Sequence, residues 1–288
     1  MVLSLSSGER AILGRCVERA TRGRTVAAAC VYGSKVAGYA RPDSDIDLLV
    51  VLEEYRYKVK YAYMTESGVK VSALLVDRGA LEKDAAQASM GEFVAGRLLH
   101  VYEPLFNQEF FDRVEREYKR RVILEEMAHL VKAAGTLATE ISFPLEYVLF
   151  SKVKRRAALY PNAAYSYYKT YASSETKEQN LQAAMACYRR ALADIVAEDP
   201  GLLAVEGAGD GEIRISAVRV GEKEKKKVGT AGGEEGEGEE EEEAMLKLSG
   251  RQLRNYRSYF VHSYAGRQMF HLAVSEAESK IRRHLRQP

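Results

Sequence analysis

Hydrophobic and polar positions change period several times along the chain, and each change marks an element. Residues 25–32 form a short apolar run, and 45–53 form a second in which Asp alternates with Ile and Leu before the run becomes wholly apolar. Both have strand length, which predicts two buried strands. Ahead of them, Ser6 or Ser7 can cap a helix reaching about Thr21, with Ala11, Ile12, Cys16, Val17 and Ala20 on one face. After them, Tyr55, Tyr57, Val59, Tyr61 and Tyr63 alternate with Arg56, Lys58 and Lys60. That period of two predicts a strand with its tyrosine face packed on a sheet and its basic face in solvent. A turn over Thr65–Gly68 then leads into a returning strand over Val69–Val76.

The period lengthens beyond Asp77, which is placed to cap a helix over about Gly79–Met90. Tyr102-Glu-Pro closes this first half. Phe111, Val114, Tyr118, Val122, Ile123, Met127, Leu130 and Val131 then keep a helical spacing that predicts a long helix from about Gln108 to Ala134. Helices are expected at 144–158, 162–173 and 176–198, with Pro144 and Pro161 near two of their starts, so the middle of the chain reads as a helical bundle. Residues 212–220 alternate again and predict one strand, onto which Ala244–Leu248 can pair back.

With 288 residues, 46% of them apolar, the chain can hold two domains or one domain with a helical appendage. The divisions fall at 1–105, 106–200 and 201–288, and the class is α+β. Net charge is only +2, but the charges are segregated. Lys223–Lys227 is basic, and Glu234–Glu243 holds eight Glu and two Gly, too acidic to bury apolar area, so 221–243 is expected to be a disordered insertion. The stretch 251–286 carries eight Arg or Lys against Glu276 and Glu278, which suits basic helices contacting nucleic acid or docking on an acidic surface of the same protein. Cys16, Cys30 and Cys187 show no paired spacing and are expected as buried free thiols. No stretch reaches membrane-spanning length, and the first residues read as a helix cap rather than a signal peptide, so a soluble cytoplasmic protein is expected.

Chemistry concentrates in residues 33–50. A Gly33-Ser34 turn ends the first apolar run, Gly38 follows, and Ser44-Asp45-Ile46-Asp47 opens the next. In a strand, Asp45 and Asp47 point to one face with α-carbons about 6.6 Å apart, close enough to converge on a hard cation such as Mg2+. Gly33 allows close backbone approach to a ligand, and the Ser34 hydroxyl with the amides opening a short following helix can bond phosphate oxygens. Arg41 and Lys35 are placed to neutralise phosphate charge. The five histidines, His100, His129, His262, His271 and His284, are scattered without metal-ligand spacing.

Gly33, Ser34, Gly38, Ser44, Asp45 and Asp47, in this order and spacing, resemble the nucleotidyltransferase superfamily that includes DNA polymerase β, and its small prokaryotic members above all. The resemblance implies a catalytic domain over 1–105, a mixed sheet flanked by helices, which moves a nucleoside monophosphate from a triphosphate to an acceptor with release of pyrophosphate. It implies two Mg2+ or Mn2+ ions held by Asp45 and Asp47, with the triphosphate held by Gly33 and Ser34 and the turn shaped by Gly38 and Ser44. The acceptor is left open among RNA, a small alcohol or amine, and a protein side chain. The family usually carries a third carboxylate on a later strand, and the matching position here is Ser72. Asp77 falls on the opposite face, Glu66 in a turn, and Glu53 some 20 Å along its strand, so none replaces it. An enzyme that is slow or borrows an acid, and a nucleotide-binding module without turnover, therefore both stand. Arg257 and His262 also resemble the Arg-x4-His element of HEPN ribonuclease toxins.

Overall fold

The computed structural model describes residues 5–140, 142–206 and 212–215. The predicted strand of 244–248, the acidic insertion, the basic helices of 251–286 and the Arg257–His262 pair lie outside them.

Helix α1 (Ser7–Thr21) opens on a capping box: the Ser6 hydroxyl accepts from the Glu9 amide, and the Glu9 carboxylate accepts from the Ser6 amide. Its buried stripe centres on Leu13 and Cys16, while Ala11 is exposed, so the apolar face is rotated slightly from the predicted one. Strands β1 (Val26–Tyr32) and β2 (Ile46–Leu52) follow, then β3 (Val59–Glu66) and β4 (Val69–Asp77). Ser67 and Gly68, both left-handed at φ 50° and 79°, make the tight turn between β3 and β4. The tyrosine alternation overstates β3, which begins at Val59 rather than Tyr55. Glu54 and Lys58 have positive φ and break the extension there, and the Tyr55 amide donates to Asp77 instead of to a neighbouring strand. Tyr55 is buried on the α1 side, so the tyrosines do not share one face.

The sheet is completed by β5 (Tyr102–Phe106), in the order β3-β4-β2-β1-β5. Only the β2–β4 pair is parallel. Both central strands are buried almost throughout, as layers on both faces require. On one face, Val31, Leu48, Val50 and Ala73 pack with Leu13 and Cys16 of α1. On the other, Cys30, Leu49, Val51 and Leu74 merge with residues of the helical half in one continuous cluster. The three cysteines are buried and free, as the sequence predicts.

Asp77 caps α2 (Arg78–Gln87), accepting from the Ala80 amide. Helix α3 (Gln108–Ala134) matches the long helix read from the sequence; α4 (Glu146–Leu159) and α6 (Lys177–Glu198) pack against it, and α5 (Pro161–Tyr168) packs on α4. Pro144 does not start α4; it ends a short edge strand, β6 (Ser142–Pro144), where its missing N–H costs nothing. The helix predicted over 162–173 is α5 followed by a π-helical turn, Lys169–Ser173. Strand β8 (Glu212–Ile215) lies between β6 and β7 (Leu203–Glu206). Among the described residues, no helix is long and apolar enough to cross a membrane.

One loop ties the sheet to the helices. The fully buried Asp84 carboxylate accepts from the amides of Met90, Glu92, Val94 and Ala95, at 2.8–3.1 Å. This fixes the path of the chain into the short 3-10 segment Ala95–Leu99, and with it the positions of Glu92 and Arg97. Glu92, buried, bonds Arg121 and Lys152 and pairs with Arg156 at 3.4 Å, joining this loop to α3 and α4.

Candidate active site

The chain leaves β1 at Tyr32 and turns on Gly33, whose φ is +79°. A Cβ there would overlap the Asp47 carboxylate, so glycine is required both by conformation and by the side chain that lies against it. The expected short helix is a single turn. The Ala37 amide bonds the Gly33 carbonyl, and the Tyr39 amide reaches back to Ser34, both at 3.0 Å. Gly38 at φ +77° reverses the chain, a helix-stop geometry applied after one turn. Val36 and Ala37 are buried beneath the turn. The next bend is closed by Ser44, whose hydroxyl accepts from the Arg41 amide at 2.9 Å while its own amide donates to the Arg41 carbonyl.

Asp45 and Asp47 flank the buried Ile46 as β2 begins. Asp45 is exposed and Asp47 half-buried. Asp47 faces Tyr32 of β1 on one side and Ser72 of β4 on the other. Burial first, then the Asp45 charge, pushes the Asp47 carboxyl up to about 7; Arg97 pulls it down without cancelling them. A carboxylate raised in proton affinity by burial and by a neighbouring negative charge, as Asp47 is, suits a hard divalent cation, which prefers carboxylate oxygens and whose charge offsets the repulsion.

Asp47, Ser34 and Ser44 share a cleft of about 370 Å³ with Tyr39 and Arg41, and its far wall is Tyr165 and Ser166 of α5. The Tyr39 hydroxyl lies 2.8 Å from Ser166 Oγ, closing one end. Of the two cations proposed for phosphate, Arg41 lines the cleft, whereas Lys35 is paired with Glu9 of α1 at 2.7 Å. Gly33 and Gly38 stand behind the turn. A Cβ on Gly38 would come within 2.7 Å of Thr176 Oγ1.

That contact reveals residues the sequence did not offer. Thr176 Oγ1 donates to the Ala37 carbonyl at 2.6 Å, and the fully buried Asn180 donates to it at 3.0 Å. The helical half thus holds the turn from behind. Asn180 on an otherwise apolar stripe of α6 was the only signal, and it gives no partner. Arg97 was missed as well. Its Nη2 donates to the Tyr61 hydroxyl at 3.0 Å, and its guanidinium carbon lies 5.7 Å from the centre of the Tyr32 ring. Tyr61 is on β3 and Tyr32 on β1, so Arg97 spans the two central strands beside the Asp47–Ser72 row.

Ser72, buried, does occupy the place opposite Asp47. Asp77 is engaged by Tyr55 and α2, Glu53 by Arg78, and Glu66 by Arg15 and Arg19. Among the described residues, no group of three or more His, Cys, Asp or Glu is arranged to hold a metal.

No curated protein matches the sequence. Among solved structures, a nucleotidyltransferase-like protein from Exiguobacterium sibiricum 255-15 aligns over 73% of this chain and 99% of that chain, at 10% identity and a TM-score of 0.30. At that score the likeness adds nothing to the site. The nucleotidyltransferase domain model matches residues 10–130, which span the sheet, the Gly33–Gly38 turn and both aspartates. Over residues 10–130 the chain is thus similar to the nucleotidyltransferase domain family.

Proposed function

We propose that the protein is a Mg2+-dependent nucleotidyltransferase, moving a nucleoside monophosphate from a nucleoside triphosphate to an acceptor and releasing pyrophosphate. The observation that carries this reading is the Asp47 carboxylate lying against Gly33, with Asp45 just ahead of the same strand and its charge acting on Asp47. A bound Mg2+ or Mn2+ held by Asp45 and Asp47 would offset the negative charge of the reacting phosphoryl oxygens.

The chain's own groups supply the rest. The Ser34 hydroxyl and the free amides of the Gly33–Gly38 turn bond the β and γ phosphates, with Arg41 adding charge at the cleft wall. Gly38 and Ser44 hold the two bends of the chain between Ser34 and Asp47, which line the same cleft. Tyr39 and Tyr165 line the cleft beyond the phosphates, a place for the ribose or base. Residues 1–105 act as the catalytic unit, and 106–200 brace it and shape its far wall.

The test is label transfer. The full chain is incubated with each of four α-labelled nucleoside triphosphates, Mg2+ and a panel of RNA, protein, alcohol, amine and phosphate acceptors. Transfer is expected in the wild type, with a loss of about 1,000-fold or more in Asp45→Asn and Asp47→Asn. Retained transfer in both variants would remove the site assignment. Mg2+-dependent nucleotide binding with no transfer to any acceptor would instead make the protein a binding module, the reading that Ser72 keeps open.

A further inference from the structure

Resting on the transferase reading, the geometry points to an acceptor that is already an oxyanion, a phosphate monoester, received on the Ser72 side of Asp47 by Arg97. In nucleotidyl transfer the entering oxygen and the leaving pyrophosphate lie on opposite sides of the α-phosphorus. The phosphate-holding turn follows β1, on the Tyr32 side of Asp47. The acceptor must therefore approach from the other side, over β4 and β3, where Ser72 faces Asp47 and Tyr63 faces Ser72.

That side is aromatic, and Arg97 reaches across to it from Tyr32 of β1 to the Tyr61 hydroxyl of β3. Arg97 is half-buried, and its Nε is buried without a hydrogen-bond partner. Its contacts are the Tyr61 hydroxyl and the rings of Tyr32 and Phe93, and it belongs to none of the ion pairs among the described residues. The contrast with Arg156, which pairs with Glu92, is direct. Tyr61, whose hydroxyl meets Arg97, stacks on Tyr63 at 6.0 Å with an 8° interplanar angle, and Tyr63 is 75% exposed.

A hydroxyl acceptor has a proton to lose, and an acid at position 72 would be placed to assist. Ser72 cannot take that proton near neutral pH, and an unpaired arginine beside it disfavours the protonated, cationic form of any neighbouring base. A phosphate monoester has no such need. Its charged oxygen attacks the α-phosphorus and forms a new P–O bond. The bond from the α-phosphorus to the α–β bridging oxygen breaks, and pyrophosphate leaves with the electron pair. The product is a phosphoanhydride, and no proton moves. Arg97 matches the acceptor's charge with a fork suited to phosphate, and Tyr63 supports a planar substituent.

The probes are benzyl phosphate, phenylacetate and benzyl alcohol, which present a phosphate, a carboxylate and a hydroxyl beside the same kind of ring. With the full chain, Mg2+ and an α-labelled triphosphate, label should move to benzyl phosphate about 100-fold faster than to benzyl alcohol. Phenylacetate should be intermediate. Benzyl phosphate binding, measured by calorimetry without nucleotide, should weaken about 10-fold or more in Arg97→Met and less in Arg97→Lys, while the triphosphate dissociation constant stays within about twofold. Ser72→Asp should reverse the order of acceptors. Faster transfer to the alcohol, or benzyl phosphate binding unchanged in folded Arg97→Met and Arg97→Lys, would overturn the inference while leaving the transferase reading intact. A wild type that binds no Mg2+–triphosphate would take both down.

Discussion

Two carboxylates on the same side of the sheet are treated in opposite ways. Glu92 is buried among Arg121, Lys152 and Arg156. Burial alone would raise its proton affinity, but Lys152 and Arg121 override that and hold it below the usual carboxylate range. Asp47 is pushed the other way, to about 7, by burial and by Asp45, with Arg97 too weak to compensate. Folding satisfies the first carboxylate from within and leaves the second in need of a cation. Glu92 is a structural joint between the sheet and the helices, whereas Asp47 has the character of a binding group.

Removing the joint should have the largest effect. Glu92→Gln leaves three cations around a neutral amide, and urea unfolding should show a loss of about 3–5 kcal/mol, the range for breaking a buried pair. Asp47→Asn should do the reverse. The folded-state value of Asp47 lies above its unfolded value, so ionising it opposes folding. Wild-type stability should fall as pH rises from about 4 to about 7, while the Asn variant lacks that fall. At pH 8 without divalent ions, Asp47→Asn should be more stable than wild type by on the order of 2 kcal/mol, and adding Mg2+ should narrow the gap. Glu92 has the opposite sign. Its contribution is present above the ordinary carboxylate range and is lost as pH falls through its depressed value. Thermal unfolding across pH, with and without Mg2+, separates the two.

A smaller effect tests how the site is braced. Asn180→Ala removes one of two side-chain donors to the Ala37 carbonyl. Loosening the phosphate turn should raise the KM for the triphosphate about 5- to 10-fold, an effect of about 1 kcal/mol, with kcat changed less. Asn180→Asp, which keeps the shape but loses donors, should behave like Ala. An equal fall in kcat with KM unchanged would show that the clamp acts elsewhere.

The strand-turn-strand of the site was legible because its parts are adjacent in sequence: Gly33, Gly38, Asp45 and Asp47 each follow from local backbone and side-chain alternation. Helix α3 was legible for the same reason, with an apolar period sustained from Phe111 to Val131. What failed depended on single backbone angles or distant partners. The positive φ of Glu54 and Lys58 cut the tyrosine strand short, and one left-handed glycine reduced the expected helix after Ser34 to a turn. Nothing local distinguishes Lys35 from Arg41; Glu9 of α1 decides between them. Thr176, Asn180 and Arg97 reach the site from far along the chain, where spacing carries no information.

The most direct test of the central claim, that Asp45 and Asp47 form a cation-dependent triphosphate site, is calorimetric titration of nucleoside triphosphates into wild type, Asp45→Asn and Asp47→Asn, with and without Mg2+. Binding to the wild type is expected only with Mg2+, weakened about 100-fold or more in each variant. Equal affinity in all three proteins, or wild-type affinity indifferent to Mg2+, would contradict it.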